Sequence, residues 1–248
     1  MITIKSDHEI ELMRKAGEIV GNTHNYLKQY IKPGITTKEL NDLAEEFILK
    51  SGATPSFKNL YGFPGTICIS INEEVVHGIP GKRKLKNGDI VKLDIGACYQ
   101  GYHGDSAWSY PVGKVSSEVT RLLEQTEQAL YQGLSAVHAG AHLGDIGATI
   151  EEYAKKHHLG VVKELVGHGI GTQVHEDPDV PNYGKFGTGP VLKEGMTIAI
   201  EPMLNLGTAT VYILDDDWTV VTGDDKASAH FEHTILVTKD GYEILTKR

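Results

Sequence analysis

The sequence predicts an α+β protein built from two similar halves packed about a pseudo-twofold axis. Three observations predict it: two pairs of amphipathic helical segments, near 6–52 and 117–158; strand-rich sequence after each pair; and a self-match when the chain is shifted by 106 residues. That shift sets Gly34 on Gly140, Glu39 on Asp145, Leu40 on Ile146, Glu45 on Glu151, Glu46 on Glu152 and Phe47 on Tyr153. Any two amphipathic helices behind a Gly would align nearly as well, so the duplication stands as an expectation.

Ser6-x-x-Glu9 is a capping-box pattern, and Ile10, Met13, Ala16, Val20 and Leu27 then recur at helical spacing. Lys32-Pro33-Gly34 stops this helix. Thr36-x-x-Glu39 opens a second, with Leu40, Leu43, Phe47 and Ile48 on one side and Gly52 to end it. Strands are expected at Ile67–Ile71, Ile90–Ala97 and Tyr102–Val112 in the first half, and at Met196–Met203, Trp218–Thr222 and His230–Thr238 in the second. Helices near 117–137 and 144–158 precede that second set, as a repeat requires. No linker or charge block separates the halves. A single domain over 1–248 is expected, with halves at about 6–112 and 116–248 sharing one sheet and a central cleft.

With 248 residues, 40% of them hydrophobic and 23% charged, the chain can bury a full core. Its apolar runs, such as Thr197–Ile200, fall far short of the roughly 18 residues of a membrane span. The N-terminus lacks the basic start and apolar run of a secretory signal, so a cytoplasmic address is expected. Cys68 and Cys98 form no CxxC pair and read as reduced, semi-buried thiols. The net charge of -9, with dispersed Lys and Arg, argues against a specific nucleic-acid partner. Lys82-Arg83-Lys84 with Lys86 reads as a solvated turn, a transient contact with ribosomal RNA being the alternative.

Asp94 interrupts the apolar run Ile90-Val91-Lys92-Leu93-Asp94-Ile95, where an unpaired carboxylate would cost several kcal/mol. A hairpin whose turn is centred on Tyr99 and Gln100 would set it directly opposite Asp105. Opposed carboxylates destabilise a sheet unless a cation lies between them; two solvated aspartates on a surface hairpin would be the alternative. In the second half Glu201 ends the apolar strand Thr197–Ile200 and Glu232 precedes Thr234–Val237, again placing acids at the borders of core strands. Pairing 201 with 232 centres their connection near Asp216 and Asp217, but the Gly223-Asp224-Asp225 turn makes that connection a meander.

His168 lies in Gly167-His168-Gly169-Ile170-Gly171, where flanking glycines would let the backbone turn tightly and leave the imidazole uncovered. The string is not a dinucleotide fingerprint. His8, His24, His138, His142, His157 and His158 lie on or beside helices among polar neighbours and read as surface residues. Asp94, Asp105, Glu201, Glu232 and a neutral His168 carry four negative charges, which two divalent cations cancel. Oxygen-rich ligation suits Mn, Fe or Co, without excluding Zn. Such a pair of ions activates water and polarises a carbonyl, so hydrolysis is the expected chemistry. Neither a GxSxG elbow nor an HExxH helix is present to support another hydrolase class.

Ser70 to Pro80 (SINEEVVHGIP), Gly101-Tyr102-His103-Gly104-Asp105, Gly167–Gly171, Gly195-Met196-x-x-Ala199-Ile200-Glu201-Pro202 and Phe231-Glu232-His233-Thr234 together resemble the type I methionine aminopeptidases. The resemblance covers essentially the whole chain and fills all five of the family's metal positions. It implies the duplicated pita-bread fold, with antiparallel sheet inside and helices outside. It implies a cytoplasmic, monomeric hydrolase that excises the N-terminal methionine of nascent chains ahead of a small second residue, using two divalent cations (Co, Mn, Fe, Zn or Ni). By resemblance, Glu201 would also shuttle a proton to the leaving amine, His175 would steady the oxyanion, and His77 would hydrogen-bond the scissile amide. The methionine pocket would be lined by Phe57, Leu60, Phe63, Cys68, Val174 and Trp218, alongside His77 and His175. Three positions depart from the family pattern: Tyr61 stands where histidine is frequent, Phe57 where cysteine is, and His230 where glutamine is. No extension precedes the first helix, and the 33 residues from His168 to Glu201 leave no room for the helical insert of type II enzymes. A proline-directed peptidase of the same fold and a metal-free peptide-binding module are the competing expectations.

Overall fold

Ser6 caps the first helix as its sequence predicts: the Ser6 N–H donates to Glu9 Oε2 at 2.7 Å, and the Glu9 N–H to Ser6 Oγ at 3.4 Å. In the computed structural model, which describes residues 1–248, this helix is α1 (Asp7–Lys28) and α2 is Thr37–Lys50, boxed by Thr36 and Glu39. The first strands follow as β1 (Thr54–Pro55), β2 (Cys68–Ile71), β3 (Glu74–Val76), β4 (Ile90–Tyr99) and β5 (Tyr102–Pro111). Next come α3 (Ser117–Ser135) and α4 (Leu143–Lys156), then β6 (Gly160–Val161), β7 (Gly167–Gly169), β8 (Glu176–Val180) and β9 (Thr197–Ile200). The chain ends with β10 (Met203–Asn205), β11 (Val211–Ile213), β12 (Val220–Thr222), β13 (Ser228–His230), β14 (His233–Val237) and β15 (Tyr242–Ile244).

The self-match is visible in the backbone. Helices α2 and α4 begin and end 106 residues apart, and the glycines ahead of them, Gly34 and Gly140, hold φ of 98° and 95°. In α4 the His142 N–H donates to Asp145, as the Thr36 N–H does to Glu39. Helices cover the outside, and every strand pairing within is antiparallel. One core cluster of 41 buried residues takes members from both halves, including Leu40, Leu93, Ile146 and Ile198.

Three expectations change here. The strands form four hydrogen-bonded sheets and not one: β1-β4-β2 with β5 on β4, β15-β14-β9-β7-β8, β13-β10-β6 and β11-β12-β3. The expected strands at 196–203 and 230–238 each break at an acid, at Glu201-Pro202 and at Phe231-Glu232; proline has no N–H for a ladder. The halves still meet, through β3 on β12. His24 is fully buried rather than exposed, with Nε2 2.9 Å from Ser106 O and Nδ1 3.0 Å from the Tyr110 hydroxyl. It falls on the same stripe as Val20 and Leu27, and that spacing outweighs its polar neighbours. Lys82, Arg83, Lys84 and Lys86 are exposed, as a solvated turn requires. No helix is long and apolar enough to cross a membrane.

Candidate metal centre

The β4–β5 hairpin turns on Gln100 and Gly101, whose φ values of 49° and 86° are the left-handed pair a two-residue turn demands. The turn is therefore one residue later than the sequence reading placed it. Asp94 faces Ala107, and Asp105 faces Gly96. The two carboxylates are diagonal neighbours instead of direct partners, but the two-residue slip keeps both on one face of the sheet.

The β9–β14 ladder pairs Ile200 with His233, so its register carries on to Glu201 and Glu232 at the break in both strands. His168 is not in a turn: it is the middle residue of β7, paired with Ala199 of β9 and Asp179 of β8. Its glycines serve close approach. A Cβ on Gly167 would lie 2.3 Å from Ala199 O, and one on Gly169 would lie 2.1 Å from Asp177 O. His168 Nε2 points inward, 3.7 Å from Asp105 Oδ2 and 3.6 Å from Glu201 Oε1. Its Nδ1 sits 2.9 Å from Gly169 O, which makes Nδ1 the protonated nitrogen and leaves Nε2 with a lone pair.

Burial, then the neighbouring carboxylates, push Asp105 and Glu232 well above the usual acid range. Burial raises Asp94 to about 6 and Glu201 to about 8. His168 and His230 are pushed down to about 4, again chiefly by burial, so both are neutral at pH 7. Asp94 Oδ1, Asp105 Oδ1 and Glu232 Oε1 are buried without a hydrogen-bond partner. Buried carboxylates with unpartnered oxygens around a neutral imidazole lone pair fit divalent cations, which supply the missing positive charge.

All five residues line one cavity of about 710 Å3. Beside them Phe57, Phe63, Cys68 and Val174 pack together with Leu60 and Trp218, and Phe63 meets Trp218 edge-on at 5.1 Å. Val174 stands behind the cavity wall; the others line it. His77 lines the cavity with a φ of 60°, and burial lowers it to about 4. His175 is exposed at the mouth, its ring 4.5 Å from that of His168 and 6.0 Å from Tyr61.

One neighbour had no site role in the sequence reading. His230 is 1% exposed, and its Nε2 lies 3.3 Å from Glu201 Oε2. The available signal was parity: it stands two residues before Glu232. Glu201, His230 and Glu232 each bring a donor atom within 4.8 Å of the other two.

A family profile described as metallopeptidase family M24 matches residues 11–239. Methionine aminopeptidase 1 of Bacillus subtilis (strain 168) is 55% identical over 247 residues, covering 100% of both chains. The crystal structure of methionine aminopeptidase from Rickettsia prowazekii superposes with a TM-score of 0.98 at 46% identity, covering 99% of this chain and 100% of that one. Prolidase from Pyrococcus furiosus superposes with a TM-score of 0.81 at 26% identity, covering 99% of this chain and 65% of that one.

Proposed function

The chain belongs to metallopeptidase family M24 and is a metal-dependent aminopeptidase that removes N-terminal methionine; we propose that it does so with two divalent cations held by Asp94, Asp105, His168, Glu201 and Glu232. The observation that carries this reading is the convergence of those side chains, with unpartnered oxygens, on a cavity whose other wall is apolar. The charge count favours two cations of the Co, Mn, Fe, Zn or Ni group. The domain is read as one catalytic unit over 1–248, with pseudo-repeat halves at about 6–112 and 116–248.

Cations bound there would supply Lewis acidity toward the scissile carbonyl and toward water. Phe57, Leu60, Phe63, Cys68 and Trp218 take up the methionine side chain and exclude solvent around its thioether, with Val174 backing the wall. His77 hydrogen-bonds the scissile amide. His175 meets the oxyanion from the mouth, where its ring packs on His168. Glu201 carries the proton from the attacking water to the leaving amine. The substrates are N-terminal methionine peptides with a small second residue.

The test is release of methionine from Met-Ala-Ser with added Mn or Co, against an Xaa-Pro dipeptide. Turnover of Met-Ala-Ser supports the reading. Cleavage of Xaa-Pro alone would move the chain to the prolidase-like activity of the same fold, and activity on neither would leave a peptide-binding module. Equal rates on Met-Ala and Met-Arg peptides would remove the small-residue preference.

A further inference from the structure

The two oxygens of Glu201 face two different imidazoles. Oε1 lies 3.6 Å from His168 Nε2, and Oε2 lies 3.3 Å from His230 Nε2. For His168 the tautomer is fixed by Gly169 O at Nδ1, so a lone pair faces Oε1. Two lone pairs repel unless they share a cation, which puts Oε1 on the metal side of the carboxylate.

His230 differs. No carbonyl anchors its Nδ1, and neither ring nitrogen has a hydrogen-bond partner although the residue is buried. Its backbone is clamped from both sides: the Ser109 hydroxyl donates to His230 O at 2.7 Å, the His230 N–H donates to Ser109 Oγ at 2.9 Å, and β13 pairs His230 with Met203. The ring is thus held where Nε2 reaches Glu201 Oε2. A buried imidazole N–H without an acceptor is costly, and Oε2 is the acceptor in reach.

We propose that His230 is a positioning residue: protonated at Nε2, it donates to Glu201 Oε2 and so turns Oε1 toward the cation it shares with His168. The proposal rests on the metalloaminopeptidase reading. At 3.3 Å the two atoms are within donor–acceptor reach without being aligned as a hydrogen bond, so the proposal requires loading of the site to bring them into line. Because a ring nitrogen of His230 also lies within 4.8 Å of a Glu232 oxygen, its use as a direct metal donor is the outcome that would overturn the idea.

The first measurement is on the unaltered protein, loaded with zinc so that it is diamagnetic, by 15N-resolved imidazole NMR. His168 should carry its proton on Nδ1 and His230 on Nε2; a His230 Nε2 that is unprotonated or metal-bound refutes the proposal. The second compares His230→Ala with His230→Gln, whose amide N–H can still donate, in the manganese-loaded enzyme. His230→Ala should lower kcat on Met-Ala-Ser by about 10- to 100-fold, the usual effect of removing an outer partner of a ligand, with KM little changed. His230→Gln should recover most of that loss, and both variants should bind as many cations per chain as the unaltered enzyme. A glutamine variant as poor as alanine, a loss confined to KM, or one cation lost would each overturn it. If the unaltered enzyme releases no methionine with metal present, the aminopeptidase reading fails instead.

Discussion

Replacing Gly167 by alanine should loosen the metal site from a position that touches no metal. The added Cβ would lie 2.3 Å from Ala199 O and 3.2 Å from Val180 Cβ, so β7 must move roughly 1 Å from β9 to restore an ordinary C···O contact. Overpacking of this kind costs about 1–3 kcal/mol, and weakened ladder bonds about 1 kcal/mol more. At about 2–4 °C per kcal/mol for a chain of this size, the midpoint of thermal unfolding should fall by about 5–15 °C. The same displacement carries His168 Nε2 away from Glu201 Oε1, now 3.6 Å distant, and metal affinity should fall about 10- to 100-fold. Gly81→Ala is the control, because a Cβ there meets nothing within 4 Å. The assays are a thermal melt and a manganese titration by calorimetry. A Gly167→Ala protein that melts and binds metal like the control would refute the close-approach argument.

Asp94→Asn should lower bound metal, by elemental analysis, and abolish turnover, because a neutral amide removes one of four negative charges; full activity with two metals per chain would sink its ligand role. His168→Ala should lose metal together with activity, with partial recovery in excess metal, whereas His175→Ala should keep its metals and lose about 10²- to 10³-fold in kcat without rescue. The reverse pattern would redraw the site around His175. Metal-free protein should lose stability as pH rises above about 6.5; below that, His168 and His230, lowered to about 4, work in the opposite direction. Glu201 and Asp94 have folded values of about 8 and about 6, above their ordinary 4.5 and 3.8, so their contribution is complete below about pH 4 and is lost through about pH 8. The loss carried by Glu201 between about pH 6.5 and 8 is measurable by denaturant unfolding, and added metal should restore stability there. Flat stability from about pH 6.5 to 8 without metal would show that the carboxylates are not held apart from solvent.

Local chemistry was the most legible part of the sequence. Ser6 and Thr36 each cap a helix with a side chain that satisfies a free N–H, and such patterns need no tertiary context. The hairpin was found but its register was not, because Tyr99-Gln100 and Gln100-Gly101 both satisfy alternation and only the second supplies two residues at positive φ with a glycine among them. His168 lies in a strand and not in the loop its glycines suggest: glycines mark both a turn and a close strand approach, and the difference lies in Ala199 and Asp177 of the neighbouring segments. His24 was misplaced because its two partners, Ser106 and Tyr110, come from a strand more than 80 residues away. The breaks at Glu201-Pro202 and Phe231-Glu232 were hidden by the apolar runs that continue past them on either side.

Those breaks explain how two halves make one site. Asp94 and Asp105 come from the first half, and His168, Glu201 and Glu232 from the second. The segments that carry the proposed ligands are fastened to each other at those residues: the Glu232 N–H donates to Ala107 O at 2.9 Å, and the Ser106 hydroxyl to Glu232 O at 2.7 Å. The Asp105 N–H donates to Thr234 Oγ1, whose hydroxyl in turn donates to Asp105 O at 2.8 Å. Had β13 and β14 run on as one strand, the backbone at Glu232 would have been committed to its own sheet and could not have bonded to β5. The interruption therefore frees the main chain of Glu232 to join the other half, and brings the carboxylates of both halves into a common volume where their repulsion is relieved by protons or by cations. Cation binding is then linked to the joining of the halves, since separating them would pull Glu232 from Asp105 and dismantle the site.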